Sequence, residues 1–294
     1  MPMDTITSSF KNPESKISNA DEEKSLAENG FFWREKDGVR VLVSRVLEEN
    51  GFANAFSTRL GGVSPFPEGD LNLAGFDDDS SENIFENRRR FLGVFDKEYQ
   101  LATAWQVHGD GVKIVRSFED AADDKEKFDA LASNVEGVLV GVKTADCVPV
   151  LLGDAKTGAF AAVHAGWRGT AQSIVVKTLE KMRGEFGTDP RDVIAAVGPA
   201  ATGKNYEVGR EVIEIFEKNF PGCGNIFRPT REGHALIDLH TANRDQLAGA
   251  GLQPENISVA PLCTMERTDL FFSYRVEKKL YGKTGRLLSV VGRK

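Results

Sequence analysis

The chain predicts an α+β fold with largely antiparallel sheets. Three observations carry that reading: strand-length apolar runs and amphipathic helical segments mix without a regular βαβ rhythm, hairpin-type turns recur, and no internal repeat is visible. A Rossmann fold or a TIM barrel would alternate strand and helix steadily.

The elements follow in order. Residues 1–28 are polar, rich in Ser, Asn, Asp, Glu and Lys, and read as a disordered extension, leaving 29–294 as a single domain. Strands are expected over 39–43 and 53–57, leading into Thr58-Arg59-Leu60-Gly61-Gly62-Val63-Ser64-Pro65, where paired glycines admit unusual backbone angles. Ser80 or Ser81 caps a helix that carries Ile84, Phe85, Phe91, Leu92 and Phe95 at helical spacing. A strand over 101–107 delivers His108, another over 112–115 follows the Gly109-Asp110-Gly111 turn, and 119–127 reads as a charged surface loop.

Apolar runs at 137–142, 148–152 and 160–163 come next, the last two split by the turn at 153–158 as in a hairpin. Gly169-Thr170 opens a helix whose stripe is Ile174, Val175, Thr178, Leu179 and Met182. A buried strand is expected over 193–197, helices over 208–220 and 236–250, and strands over 257–261, 271–274 and 287–291.

Composition narrows the partners. Charged residues make up 28%, and 37 Lys+Arg against 44 Asp+Glu leave a net charge of −7, with no basic stripe for nucleic acid. An anionic substrate must then be met by local arginines. The three cysteines are odd in number and far apart, which fits a reducing compartment. The first 30 residues hold no apolar signal core, and no run approaches the roughly 18 apolar residues of a membrane span, so a cytoplasmic setting without a membrane partner is expected.

The chemistry centres on His108, Cys147 and His164, each at the end of a short apolar run beside small residues. Two imidazoles and a thiolate suit zinc, and three protein ligands leave a coordination position open for water or substrate. Cys147 lies 39 residues after His108 and His164 lies 17 after Cys147, which matches no short zinc motif, so a buried cysteine with two hydrogen-bonded histidines is the competing reading. Asp146 beside Cys147, and Trp167, Arg168 and Gly169 after His164, add a carboxylate, an aromatic face, a cation and a helix start able to receive an anion. His234 and His240 read as surface or capping residues, Cys223 as a loop thiol, Cys263 as core, and Trp105 and Trp167 as packing or as a purine platform.

These motifs together resemble the YfiH family, also called multicopper polyphenol oxidoreductase or laccase-domain proteins and, in some members, peptidoglycan editing factor. The resemblance runs through the 57–64 loop, Leu71-Asn72-Leu73, Gln106-Val107-His108-Gly109, Thr144-Ala145-Asp146-Cys147 and His164-Ala165-Gly166-Trp167-Arg168-Gly169-Thr170. It continues through Gly198-Pro199, Tyr206-Glu207-Val208-Gly209 and Phe271-Phe272-Ser273-Tyr274-Arg275, covering essentially everything after residue 30. The family often has cysteines just before the Tyr-Glu-Val-Gly motif, where this chain has Lys204 and Asn205. The resemblance implies a layered α/β/β/α fold and zinc held by His108, Cys147 and His164. It also implies phosphorolysis of adenosine, inosine and methylthioadenosine, deamination of adenosine, or copper-dependent oxidation of phenols.

Residue counts rank these activities. A multicopper cluster needs many imidazoles, and four histidines are too few, although one copper at the same site stays open. Zinc-activated water, with its pKa lowered to about 7, suits attack on adenine C6, though the base-deaminase zinc signature is absent. Phosphorolysis needs a phosphate site, for which Arg168 with the amides after Gly169 is the first expectation and Arg59 a second. Ser273 is expected to line the substrate cleft. Asp146 or Glu207 would handle protons, and Cys147, Asp146 and Arg168 form the expected catalytic set. The expected partners are a purine nucleoside and phosphate. A different class also fits: Cys147 and His164 as a thiolate–imidazole pair hydrolysing a peptidoglycan precursor.

Overall fold

The computed structural model describes residues 19–65, 69–75, 79–220 and 222–294. Helices are α1 (Asn19–Glu28), α2 (Arg45–Glu49), α3 (Ser81–Leu92), α4 (Phe118–Ala122), α5 (Trp167–Ala171), α6 (Ile174–Phe186), α7 (Arg210–Asn219), α8 (Leu239–Gly249) and α9 (Tyr274–Tyr281). The first sheet runs β1 (Phe31–Lys36), β2 (Val39–Ser44), β3 (Phe52–Ser57), β15 (Leu287–Arg293), β7 (Val138–Thr144), β4 (Gln100–Ala102). The second runs β14 (Ile257–Val259), β10 (Val193–Val197), β8 (Val148–Asp154), β9 (Phe160–Ala165), β6 (Ala130–Ser133), β5 (Val112–Val115). A small third sheet orders β11 (Glu207–Gly209), β13 (His234–Ile237), β12 (Phe227–Pro229). Pairing is parallel for β4 with β7, β5 with β6 and β10 with β14, and antiparallel for the other strand pairs.

Side-chain alternation builds the layers. Along β8 and β9, Val148, Val150, Leu152, Ala161 and Val163 face α6, α7 and α8, whereas Leu151, Phe160 and Ala162 face the first sheet. Val140, Val142 and Val291 of the first sheet meet them, and Leu139, Val290 and Leu288 turn the other way onto Phe91 and Phe95 around α3. The strands in the middle are buried on both faces, which is why they read as unbroken apolar runs. The order is helix, sheet, sheet, helices, an α/β/β/α sandwich.

Several expected boundaries move, each for a local reason. Residues 1–18 of the expected extension lie outside the described residues, but 19–28 form α1, whose Leu26 is buried in the inter-sheet core. The expected strand over 101–107 pairs only to Ala102, because the Gln106 side chain then takes both the N–H and the carbonyl of Lys143 at 2.7 Å in place of backbone. Part of the charged loop is α4, capped by Ser117. The expected strand over 271–274 does not form: Phe271 and Phe272 are buried outside any strand, and α9 starts at Tyr274 because Ser273 Oγ accepts the Val276 N–H as an N-cap. The two late helices start after short strands, at Arg210 and, behind the Asp238 cap, at Leu239. Ser80 caps α3 as expected, though Phe85 faces outward.

Candidate metal centre

Three neighbouring strands of the second sheet assemble the site. In the spatial order β8, β9, β6, Cys147 immediately precedes β8, His164 is the last residue but one of β9, and Asp129 immediately precedes β6. The register sets Val148 opposite Ala165 and Ala130 opposite Val163, so all three collect at one end of the sheet. His164 shares the parity of Phe160 and Ala162, so its ring looks toward the first sheet. From that sheet comes His108, on the loop after β4.

The ligand atoms of His108, Cys147 and His164 all lie within 4.8 Å of one another. The two imidazole centroids are 4.8 Å apart with planes at 80°. His164 is buried, Cys147 half-buried and His108 exposed, so the group opens to solvent on one side. Backbone strain gathers here: His108 and Asp146 have φ of 60° and 84°, the left-handed region.

Asp129, which the sequence reading passed over, organises the group. Its carboxylate meets His164 Nδ1 at 2.7 Å and accepts the backbone N–H groups of Val107, His108 and Gly109 at 3.2, 2.9 and 2.7 Å. A carboxylate only accepts, so the His164 proton sits on Nδ1 and Nε2 turns to the cluster. One signal for it was legible: a lone acid set flush against the apolar run at 130–133.

The charges suit a metal. Burial alone would push the Cys147 thiol up, but the neighbouring His164 and His108 rings pull it well down, favouring thiolate. Burial would push His164 down, but the thiolate and Asp129 hold it up. Burial also works against the Asp129 carboxylate, yet His164 and the Gly109 and Val107 amides keep it low. A Cβ built on Gly166 would lie 3.1 Å from Cys147 Sγ and 3.3 Å from His108 Cδ2, so glycine here keeps the space beside the donors clear. Two imidazoles, a thiolate, a carboxylate that orients the His164 ring and a cleared cradle fit a divalent ion.

The other expected site residues fare differently. Arg59 is buried and committed: it pairs with both Asp70 oxygens at 2.9 and 2.7 Å, with Glu277 at 2.7 Å and with the Thr268 carbonyl. It is a buried ion-pair hub, not a phosphate anchor. Ser273 is fully buried as the α9 cap and donates to Asp146, so it does not line an open cleft. Asp146 spends both oxygens on Thr264 Oγ1 (2.7 Å), Ser273 Oγ (3.1 Å) and the Arg275 N–H (2.7 Å), clamping the C-terminal segment behind Cys147. Gly169 is not at a helix start: α5 begins at Trp167, and a Cβ on Gly169 would lie 2.9 Å from the Gly109 carbonyl, so it serves close packing under the His108 loop.

Arg168 is exposed, with its guanidinium 4.5 Å from the Trp167 ring centroid and no carboxylate partner among the described residues. Glu207 is held down to about 2 by Arg231 and Thr230, and its carboxylate is engaged with both. His234 and His240 stand apart, on the Glu232 and Gly198 carbonyls, so two of the four histidines share the centre. Cys263 is buried as expected, and Trp105 is largely exposed rather than packed. A cavity of about 560 Å³ lies elsewhere, lined by Thr202, Lys204, Arg228, His240 and Arg244, and none of the three donors borders it.

Residues 53–294 match the family model described as multi-copper polyphenol oxidoreductase laccase. The chain belongs to that laccase-like family. Among its relatives, a purine nucleoside phosphorylase of Bacteroides thetaiotaomicron is 36% identical over 262 residues, covering 86% of this chain and 96% of the relative. The purine nucleoside phosphorylase YfiH of Escherichia coli is 32% identical, covering 86% and 98%. The crystal structure of YlmD from Geobacillus stearothermophilus superposes with a TM-score of 0.81 at 30% identity, covering 89% of this chain and 98% of that one. Family membership and the layered fold thus agree. The word multi-copper does not transfer to the site, because two imidazoles and one thiolate cannot furnish a cluster of several copper ions.

Proposed function

We propose that this protein is a zinc-dependent purine nucleoside enzyme that cleaves adenosine, inosine and methylthioadenosine with phosphate and also deaminates adenosine. The observation that carries the reading is the His108–Cys147–His164 donor group with Asp129 behind it, in a chain whose relatives bear the phosphorylase name. Zinc in that group supplies Lewis acidity and an acidified water.

The chain's own residues supply the rest. Asp129 fixes the His164 tautomer and steadies the loop that presents His108. Arg168, free of carboxylates and braced on Trp167, offers a cation at the rim for a phosphate or ribose oxygen. In phosphorolysis a phosphate oxygen bonds to the ribose anomeric carbon as the glycosidic C–N bond breaks, and that electron pair leaves with the purine, which takes up a proton. In deamination water adds at C6 and ammonia departs. Elemental analysis of the purified protein, with chromatography of adenosine incubations with and without phosphate, tests this. Free adenine with phosphate and inosine without it are expected, and both vanish in Cys147→Ala. Undiminished turnover and metal content in that variant would overturn the reading.

A second reading rests on one observation: Cys147, His164 and Asp129 follow one another as thiol, imidazole and carboxylate, the order of a nucleophilic triad. This arrangement suits a hydrolase acting on a peptidoglycan precursor. Iodoacetamide separates the two. A nucleophilic thiol is alkylated in the protein as purified, whereas a metal-bound one is protected until a chelator is added.

A further inference from the structure

Phosphate needs an arginine held by more than a ring contact; Arg168 and Arg275 are both exposed, Arg59 is spent on Asp70 and Glu277, and Arg275 is the better anchored of the two exposed cations. On the Asp146 side of Cys147, Arg275 is tied down from three directions. Its backbone N–H donates to Asp146 Oδ2 at 2.7 Å, its Nη1 donates to the Glu207 carbonyl at 3.2 Å, and its guanidinium carbon sits 4.7 Å from the centroid of the Tyr206 ring. Among the described residues no carboxylate pairs with that guanidinium: Asp146 takes the backbone amide and two hydroxyls, and Glu207 turns its carboxylate to Arg231. Most of the planar donor fork is therefore unspent, on a side chain whose direction is already set.

We propose that Arg275 and the Tyr206 hydroxyl form the phosphate subsite, on the Asp146 side of Cys147. This rests on the nucleoside reading above. Tyr206 is half-buried and carries the Arg275 guanidinium over its ring, so its hydroxyl adds a second donor to the fork. The ring contact and the Glu207 carbonyl restrain the guanidinium, so less freedom is lost when an oxyanion is gripped by its N–H groups. Asp146 acts as a positioning residue for this subsite. Its carboxylate holds the Arg275 backbone while Cys147, the next residue, carries a donor, so donor group and phosphate seat share one rigid corner. Because that bond uses a main-chain amide, substitution of the Arg275 side chain leaves it in place.

Inorganic phosphate is the probe, with the full chain in its purified, metal-loaded form. Calorimetric titration without nucleoside should show phosphate affinity falling about tenfold or more in Arg275→Ala, less in Arg275→Lys, and severalfold in Tyr206→Phe, with metal content unchanged. In steady state, KM for phosphate should rise by the same factor in Arg275→Ala while KM for adenosine stays within about twofold. Arg168→Ala serves as the comparison. Absence of phosphate binding by the unaltered protein, binding within about twofold of it by Arg275→Ala, or a loss confined to Arg168→Ala overturns the subsite. Arg275-dependent phosphate binding without nucleoside cleavage supports the subsite and rejects the phosphorylase reading. Nucleoside cleavage with phosphate binding indifferent to Arg275 does the reverse.

Discussion

Asp129 and His164 are joined at 2.7 Å through Oδ1 and Nδ1, and the same Oδ1 accepts the His108 N–H at 2.9 Å. One buried carboxylate thus governs both imidazoles, one through its ring and the other through its backbone. That makes Asp129 as important to the geometry of the centre as the three donors.

Asp129→Asn keeps the shape but loses the charge and sets an amide N–H against main-chain donors. Metal affinity should fall about 10- to 100-fold, measured by competition with a chromophoric chelator. Affinity equal to that of the unaltered protein would show that His164 needs no such partner.

Gly166→Ala isolates the cradle. Its φ of −67° is open to any residue, so the fold should persist, with a melting temperature within about 4 °C. The new Cβ would still press on Cys147 Sγ and His108 Cδ2. Reduced metal occupancy at near-normal stability is expected; full occupancy would mean that the donors have room to retreat.

Arg59→Ala should act on stability before function. It leaves Asp70 and Glu277 buried without their cation, a cost of about 3–5 kcal/mol in denaturant unfolding. Arg168→Ala, on an exposed side chain, should stay within about 0.5 kcal/mol. If Arg59→Ala proved as stable as the unaltered protein, the buried hub would be ornamental.

Alkylation of metal-stripped protein reports the Cys147 thiolate. Burial favours the neutral thiol, but His164 and His108 outweigh it and hold Cys147 down to about 6. A lowered value means that thiolate, and so labelling, persists at neutral pH and is lost only as pH falls toward that value. In His164→Ala the midpoint should move to higher pH. An identical profile in both proteins would detach the thiol from the imidazole.

Much of the scaffold was legible because local rules sufficed. The central strands announced themselves as apolar runs since both their faces are covered, Ser80 marked the start of α3, and the turn at 153–158 joined β8 to β9 because the Asp154 carboxylate gathers the amides of Lys156 and Thr157. Misread segments were those where a side chain replaces backbone pairing or caps a helix: Gln106 on Lys143, and Ser273 at α9.

Residue chemistry alone singled out His108, Cys147 and His164 as a possible donor set, and the run of motifs pointed to the family. Only the tertiary structure decided which polar groups keep free valence. Arg59 and Ser273 spend theirs on Asp70, Glu277 and Asp146, Arg275 keeps most of its own, and Asp129 comes within reach of His164 because β6 and β9 are neighbours. The reason is physical. A side chain's type is local, but its hydrogen-bond partners and its contact with water are set by strands far away in sequence.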